Sequence, residues 1–94
     1  MPFNFYFEWQ NKETIKQKYK LYTPSDVSFF AAIYIKNKLG FEYSILTKPS
    51  SPNVEHIHDR NPIIVAGNKI KMWFSNNYKN VLIDDSIDLK FMEI

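Results

Sequence analysis

The stretch that decides the predicted fold is Asn61-Pro62-Ile63-Ile64-Val65-Ala66-Gly67-Asn68. A proline that opens a short apolar run closed by Gly-Asn is typical of a buried strand that enters a tight hairpin. We therefore predict a strand over residues 62–66 and a hairpin turn at residues 67–68. A second, half-buried strand is predicted over residues 69–74, where apolar and other side chains alternate.

The composition fits a single domain over residues 1–94. Hydrophobic residues make up 45% of the chain and aromatic residues 17%, which excludes a disordered chain because such a core offsets chain entropy. The absence of cysteine excludes disulfides, a thiolate nucleophile and thiolate metal ligands. No apolar run approaches membrane-spanning length and no signal peptide is recognisable, so we expect a soluble, cytoplasmic protein with no membrane partner.

The first half of the chain contains the most regular patterns. The side chains of Phe3, Phe5, Phe7 and Trp9 recur at every second position, which predicts a strand with one heavily buried face. A short helix or turn is predicted over residues 11–18, and a second strand over residues 19–23. A helix is predicted over residues 26–39, with Ser25 or Asp26 at its start and Gly40 just after its end, because apolar residues recur at helical spacing.

The remaining elements complete an α/β pattern. Residues 41–47 are predicted as a strand, residues 48–53 and 75–80 as loops, and residues 54–60 as one or two helical turns. The segment from about residue 85 suits both a helix and a strand, and we predict a helix beginning near Asp84, Asp85 or Ser86. The predicted fold class is a single α/β domain with a mixed sheet of about four or five strands flanked by helices.

The order of these elements resembles a glutaredoxin, and within that group an NrdH-type redoxin of the thioredoxin-like superfamily. The resemblance rests on Tyr22-Thr23, the following predicted helix, Gly40-Phe41 and the block from Pro62 to Gly67. It implies a thioredoxin-like fold. The family's Cys-x-x-Cys motif is lost, because residues 25–28 are Ser-Asp-Val-Ser, or residues 26–29 in the other register. Disulfide exchange requires a thiolate, so the resemblance implies a redox-inactive protein that is not an enzyme.

The resemblance also implies a binding groove. Pro62 aligns with the family's cis-proline, so we expect a cis Asn61–Pro62 bond beside the turn that replaces the cysteines. The predicted function is that of a protein- or peptide-binding module without a cofactor or a bound metal. The residues expected to line the groove are Ser25, Ser28, Phe29, Asn61, Pro62 and Trp73.

Nucleic-acid binding is the alternative function. The densest basic run contains Lys12, Lys16, Lys18 and Lys20, which either form a solvated face or bind phosphate. The predicted strand with Lys69, Lys71 and Trp73 on one face offers a second surface, because aromatic and basic side chains together bind single strands. A homodimer formed through the aromatic N-terminal strand or the hairpin edge is compatible with either function. Residues 55–59 contain two His, one Glu and one Asp, and they form either a metal site or a polar surface loop.

Overall fold

The computed structural model describes residues 1–25, 27–84 and 86–94, and it consists mainly of short antiparallel strands. A 3-10 turn at Gly67–Lys69 precedes the first of two short α-helices. The strands are β1 (Pro2–Phe3), β2 (Phe5–Lys12), β3 (Ile15–Tyr22), β4 (Ser28–Phe30), β5 (Ala32–Asn37), β6 (Gly40–Ile45), β7 (Thr47–Pro49), β8 (Arg60–Pro62), β9 (Ile64–Val65) and β10 (Lys90–Glu93), and the helices are α1 (Ile70–Trp73) and α2 (Tyr78–Leu82).

The strands form four small antiparallel sheets. The two larger sheets have the orders β1-β4-β9 and β10-β3-β2, while β5 pairs with β6 and β7 pairs with β8. The β2–β3 pair is the longest ladder, running from Phe5 opposite Tyr22 to Lys12 opposite Ile15. This ladder fixes which side chains share a face of the sheet, because opposite residues in an antiparallel pair point the same way.

The block around β9 separates two hydrophobic clusters. Ile64 packs in a cluster with Phe3, Tyr19, Leu21, Val54, Ile57 and Leu89. Its neighbours Ile63 and Val65 pack instead with Ala31 and Val81. Successive side chains of an extended segment point to opposite sides, so this segment is buried on both faces and needs a continuous apolar run. The predicted buried strand is confirmed for Ile64–Val65.

The predicted thioredoxin-like α/β fold is wrong. The segment predicted as a helix over residues 26–39 forms β4 and β5, apart from Asp26, which lies outside the described residues. The segment is rich in aromatic and β-branched side chains, which favour strands when partners are available. Those partners are remote in sequence: Ala31 donates its N–H to the Ile63 carbonyl (2.8 Å), and the Leu46 N–H is donated to the Ala31 carbonyl (2.9 Å).

Three other predicted elements are also wrong. The hairpin at residues 67–68 and the strand over residues 69–74 are replaced by the 3-10 turn and α1, since six residues of alternating pattern also fit a helical turn. Of the short helix or turn predicted over residues 11–18, the turn is present at residues 13–14, between the end of β2 and the start of β3, and the helix is absent. The C-terminal helix is replaced by β10, which pairs with the free edge of β3, while Asp85 lies outside the described residues.

Other predictions hold. The strands predicted over residues 3–9, 19–23 and 41–47 correspond to β2, β3 and β6 within a few residues.

The Asn61–Pro62 bond is trans, as no peptide bond in the described ranges is cis. The predicted cis-proline, which was to shape a peptide groove, is therefore wrong.

Candidate nucleic-acid interface

Aromatic rings and lysines alternate across the outer surface of the sheet formed by β10, β3 and β2. On β2, the side chains of Phe5, Phe7 and Trp9 remain 46%, 39% and 44% exposed. The ladder places Phe5 opposite Tyr22, Phe7 opposite Lys20 and Trp9 opposite Lys18. We call this surface the aromatic–lysine face; its residues are Phe5, Phe7, Trp9, Lys16, Lys18, Lys20 and Tyr22.

Two lysines of this face, Lys18 and Lys20, lie over its rings. The Lys18 ammonium is 4.1 Å from the ring centre of Phe7 and 5.7 Å from that of Trp9. The Lys20 ammonium is 4.7 Å from the ring centre of Phe5 and 5.9 Å from that of Tyr22. These are cation–π distances, and the long aliphatic stems of both lysines cover apolar ring surface while the charges stay in water.

Along most of the aromatic–lysine face, no carboxylate of the described residues of the three strands offsets the positive charge, and Glu8 reaches only the end of the face near Trp9 and Lys16. Strand alternation puts Glu8 and Glu93 on the inner side, both opposite Tyr19. The Tyr19 hydroxyl bonds Glu93 Oε1 (3.2 Å) and Gln10 Oε1 (3.3 Å), which holds these acceptors away from the face. The surface is therefore electropositive and aromatic at once.

A cavity of about 300 Å³ lies at one end of this face, around the edge strand β2. It is lined by Glu8, Trp9, Asn11, Lys16 and His58. The His58 ring nitrogen Nδ1 lies 3.1 Å from the Arg60 carbonyl oxygen and 3.4 Å from Asp59 Oδ1. Glu8 was not predicted as a site residue, and its signal in the sequence is a single acid between the aromatic residues Phe7 and Trp9.

The six residues of the predicted groove are divided among three cavities. Ser25 and Ser28 line one cavity, Phe29 and Trp73 a second, and Asn61 and Pro62 a third. The Ser28 Oγ lies 2.6 Å from the buried Thr23 Oγ1, and the Asn61 Oδ1 accepts the Ser51 N–H at 2.9 Å. The structure does not bring these residues together, and a ligand for any of them stays a prediction.

The second predicted basic surface has a different geometry from the one expected. Lys69 and Trp73 belong to the 3-10 turn and α1 rather than to one strand face. The Lys69 ammonium forms an ion pair with Asp84 Oδ2 at 2.7 Å, and the Trp73 ring packs edge-on against Tyr78. The Lys16–Lys20 surface therefore remains as the nucleic-acid candidate.

The two histidine side chains lie in different surroundings. The His56 ring packs edge-on against Tyr19 and Phe91, whereas His58 lines the cavity near Glu8. Within residues 1–25, 27–84 and 86–94, no group of three or more His, Asp or Glu side chains is placed to hold a metal ion. In the same ranges, no helix has the length and apolar character needed to cross a membrane.

Comparison with known proteins replaces the glutaredoxin resemblance. A crystal structure of a protein from Bacteroides thetaiotaomicron superposes on 100% of this chain with a TM-score of 0.82 and 21% sequence identity. The chain covers 47% of that protein, so it spans about half the length of this structural relative. No curated protein matches the chain. The family model described as SOS response associated peptidase (SRAP) matches residues 1–88. The predicted membership of the thioredoxin-like superfamily is therefore wrong, as is the predicted function as a redox-inactive protein- or peptide-binding module, and the chain belongs to the SRAP family.

Proposed function

We propose that this chain binds single-stranded nucleic acid through the aromatic–lysine face. The observation that carries the proposal is the exposure of Phe5, Phe7 and Trp9 beneath the ammonium groups of Lys18 and Lys20. Exposed aromatic rings stack on bases, and a basic groove follows the phosphates. The family's association with the SOS response, a response to DNA damage, is consistent with this substrate class.

The spacing of the rings suits a single strand. Residues two apart on a strand advance by about 6.7 Å, so successive rings of β2 meet successive unstacked bases. Bases inside a duplex present no free face to these rings, because their faces are already stacked. The ammonium groups of Lys18 and Lys20 move from the rings to the phosphates when bases take their place, since lysine stems are flexible.

The electrostatic part of binding is modest and testable. Lys16, Lys18 and Lys20 offer three charges on this face. Release of counterions from a single strand gives a slope of about −0.7 per charge, so the logarithm of the binding constant falls with a slope of about −2 against the logarithm of salt concentration. A larger slope indicates additional basic contacts, for example from Lys90, which lies opposite Tyr22 on the same side of the sheet.

Fluorescence anisotropy tests the proposal with a labelled oligothymidylate of about 12 nucleotides and a duplex of equal length at low salt. The single strand is expected to bind more tightly than the duplex. Trp9→Ala removes one stacking platform and is expected to weaken binding at least about fivefold. The matched control is Trp73→Ala, which lies away from the face. The proposal fails if neither nucleic acid binds, or if the two variants weaken binding equally.

Acid–base chemistry at the β2 edge is a second candidate function. It is favoured by Glu8 and His58 lining one cavity, because these side-chain types transfer protons near neutral pH. The family description names a peptidase, so the test is hydrolysis of a fluorescent casein by the wild-type chain and by Glu8→Gln and His58→Ala. Activity that both variants lose supports this candidate; absence of activity in the wild-type chain removes it.

Three expectations stay predictions. They are a single domain over residues 1–94, a cytoplasmic location and the absence of enzymatic activity, which is the opposite of the acid–base candidate and is decided by the same hydrolysis assay. The chain spans about half the length of its structural relative, so enzymatic activity of this chain has to be measured on the chain itself.

A further inference from the structure

The hairpin formed by β5 and β6 carries an unusual amount of exposed apolar surface. In the described part of the chain, its strands pair only with each other. Ile33, Tyr34 and Ile35 of β5 are 47%, 63% and 62% exposed, and Phe41 and Tyr43 of β6 are 56% and 66% exposed. Both faces of this hairpin therefore carry exposed apolar side chains, whereas an isolated two-stranded sheet is marginally stable in water.

The outer edge of β5 has unpaired backbone groups at defined positions. The Leu46 N–H donates to the Ala31 carbonyl, so the backbone of Ala31 faces the β6 side. The groups that face a partner strand alternate along an antiparallel ladder. The backbone N–H and C=O groups of Ile33 and Ile35 therefore form hydrogen bonds with β6, and those of Tyr34 and Lys36 point away from it.

The sequence of β5 is self-complementary about Tyr34. We propose that β5 pairs with β5 of a second copy of this chain, antiparallel and centred on Tyr34, which makes a continuous four-stranded sheet. The outward N–H and C=O groups of Tyr34 then bond those of the partner copy's Tyr34. Ile33 lies opposite the partner copy's Ile35 in this register, because Ile33-Tyr34-Ile35 is the same in both directions.

Side chains and charges agree with this pairing. Within one copy, the Tyr34 ring already lies 5.5 Å from the Phe41 ring and 6.0 Å from the Tyr43 ring, so the paired sheet joins two three-ring clusters on one face. Lys36 lies opposite the partner copy's Ala32, and no like charges meet across the new ladder. The pairing also covers the outer edge of β5, and an open strand edge is prone to non-specific association.

Sedimentation equilibrium tests the proposal, with Tyr34→Pro as the decisive variant. Proline at position 34 removes an N–H that points away from β6, so the β5–β6 bonds are kept while the dimer contact is lost. The matched control is Tyr43→Pro, because Tyr43 lies opposite Tyr34 and its N–H points to the other edge of the same hairpin. The wild-type chain and Tyr43→Pro are expected to dimerise, whereas Tyr34→Pro raises the dimer dissociation constant at least about tenfold.

A cross-link provides an independent readout if the proline variants do not fold. The chain has no cysteine, so any disulfide comes from an introduced residue. At the centre of the proposed ladder the two Cα atoms of position 34 are about 5.5 Å apart, within reach of a disulfide. Tyr34→Cys is expected to cross-link under mild oxidation and Phe74→Cys is not. A wild-type monomer at high concentration, a dimer lost only in Tyr43→Pro, or equal cross-linking of both cysteine variants overturns the proposal.

Discussion

Lys18 shows at the residue scale how one side chain combines two properties of the aromatic–lysine face. Its ammonium lies above both Phe7 and Trp9, so it keeps these rings in contact with water and positive charge. A ring covered by a flexible cation remains open to a base, whereas a ring covered by another ring does not. The arrangement suits reversible stacking better than it suits a structural core.

Lys18→Ala is therefore expected to weaken oligothymidylate binding by roughly threefold to tenfold and to reduce the salt slope by about 0.7. The physical reason is the loss of one phosphate contact. Anisotropy titrations at several salt concentrations measure both quantities. Lys36→Ala, on the β5–β6 hairpin, is the control and leaves the slope unchanged; a lower slope in both variants means that the phosphates are not bound at this face.

Tyr6 and Tyr19 lie on the inner side of the same sheet and differ in whether the hydroxyl has a hydrogen-bond partner. The Tyr6 hydroxyl is buried with no hydrogen-bond partner in the described residues, and burial followed by the charge of Glu8 raises its pKa. Tyr6→Phe removes an unsatisfied group and is expected to leave the free energy of unfolding unchanged or to increase it by up to about 1 kcal/mol. Tyr19→Phe loses bonds to Gln10 and Glu93 and is expected to lower it by about 1 kcal/mol. Urea unfolding of the two variants decides, and equal losses contradict this account.

At the scale of elements, strands whose two faces differ were predictable and strands within mixed patterns were not. The alternation from Phe3 to Trp9 predicts the strand correctly. The predicted burial of its aromatic face is wrong, because the rings of β2 lie on the more exposed side of the sheet. The apolar residues between positions 27 and 35 fit the spacing of a helix as well as that of a strand. The strand is favoured by hydrogen bonds of Ala31 with Ile63 and Leu46, which are remote in sequence and cannot be read from a local pattern. The glutaredoxin resemblance failed for the same reason, since it rested on the spacing of common turn residues.

The candidate site was predictable only in part. The lysines of β3 stand out as a basic run, and the rings of β2 stand out as an alternating series. The rings and the lysines lie on one face because β2 pairs with β3. This pairing was not predicted, because residues 11–18 also fit a short helix or turn.

The turn between β5 and β6 gives a prediction at the element scale. Gly40 has φ +128°, a conformation that L side chains rarely adopt, and nothing lies within 4 Å of an added Cβ. Gly40→Ala is therefore expected to lower the free energy of unfolding by about 1–2 kcal/mol through backbone strain alone. Gly67→Ala is the matched control, as its surroundings are equally open and its φ is not in the left-handed region. Thermal unfolding of both measures the difference, and equal effects contradict the assigned turn.

At the scale of the whole molecule, one ion pair connects the 3-10 turn to the segment after α2. Lys69 Nζ lies 2.7 Å from Asp84 Oδ2, and the Asp84 side chain is 8% exposed. Burial by itself raises the pKa of Asp84, but hydrogen bonds from Lys69 and Ser86 and the charge of Lys69 outweigh it and lower the pKa from 3.8 to about 2. The pair therefore stabilises the folded chain only while Asp84 is ionised.

The sign of the pH dependence follows from this lowered pKa. The stabilisation is complete above pH 3.8 and is lost as pH falls toward about 2, because protonation is easier in the unfolded chain. Its size is on the order of 1 kcal/mol after allowance for solvent screening of the partly exposed Lys69. Urea unfolding between pH 5 and pH 2 is expected to show a smaller acid loss in Asp84→Asn than in the wild-type chain. Parallel pH curves for the two proteins contradict this role of the pair.

The most direct test of nucleic-acid binding at the aromatic–lysine face uses the emission of Trp9. The chain has two tryptophans, so Trp73→Phe leaves Trp9 as the only one. Oligothymidylate is titrated into this variant at low salt while tryptophan emission and oligonucleotide anisotropy are recorded together. We predict that emission is quenched along the same curve as the anisotropy, because bases stack on Trp9, and that added salt reverses both. Binding by anisotropy with unchanged Trp9 emission, or no binding at all, contradicts the proposal.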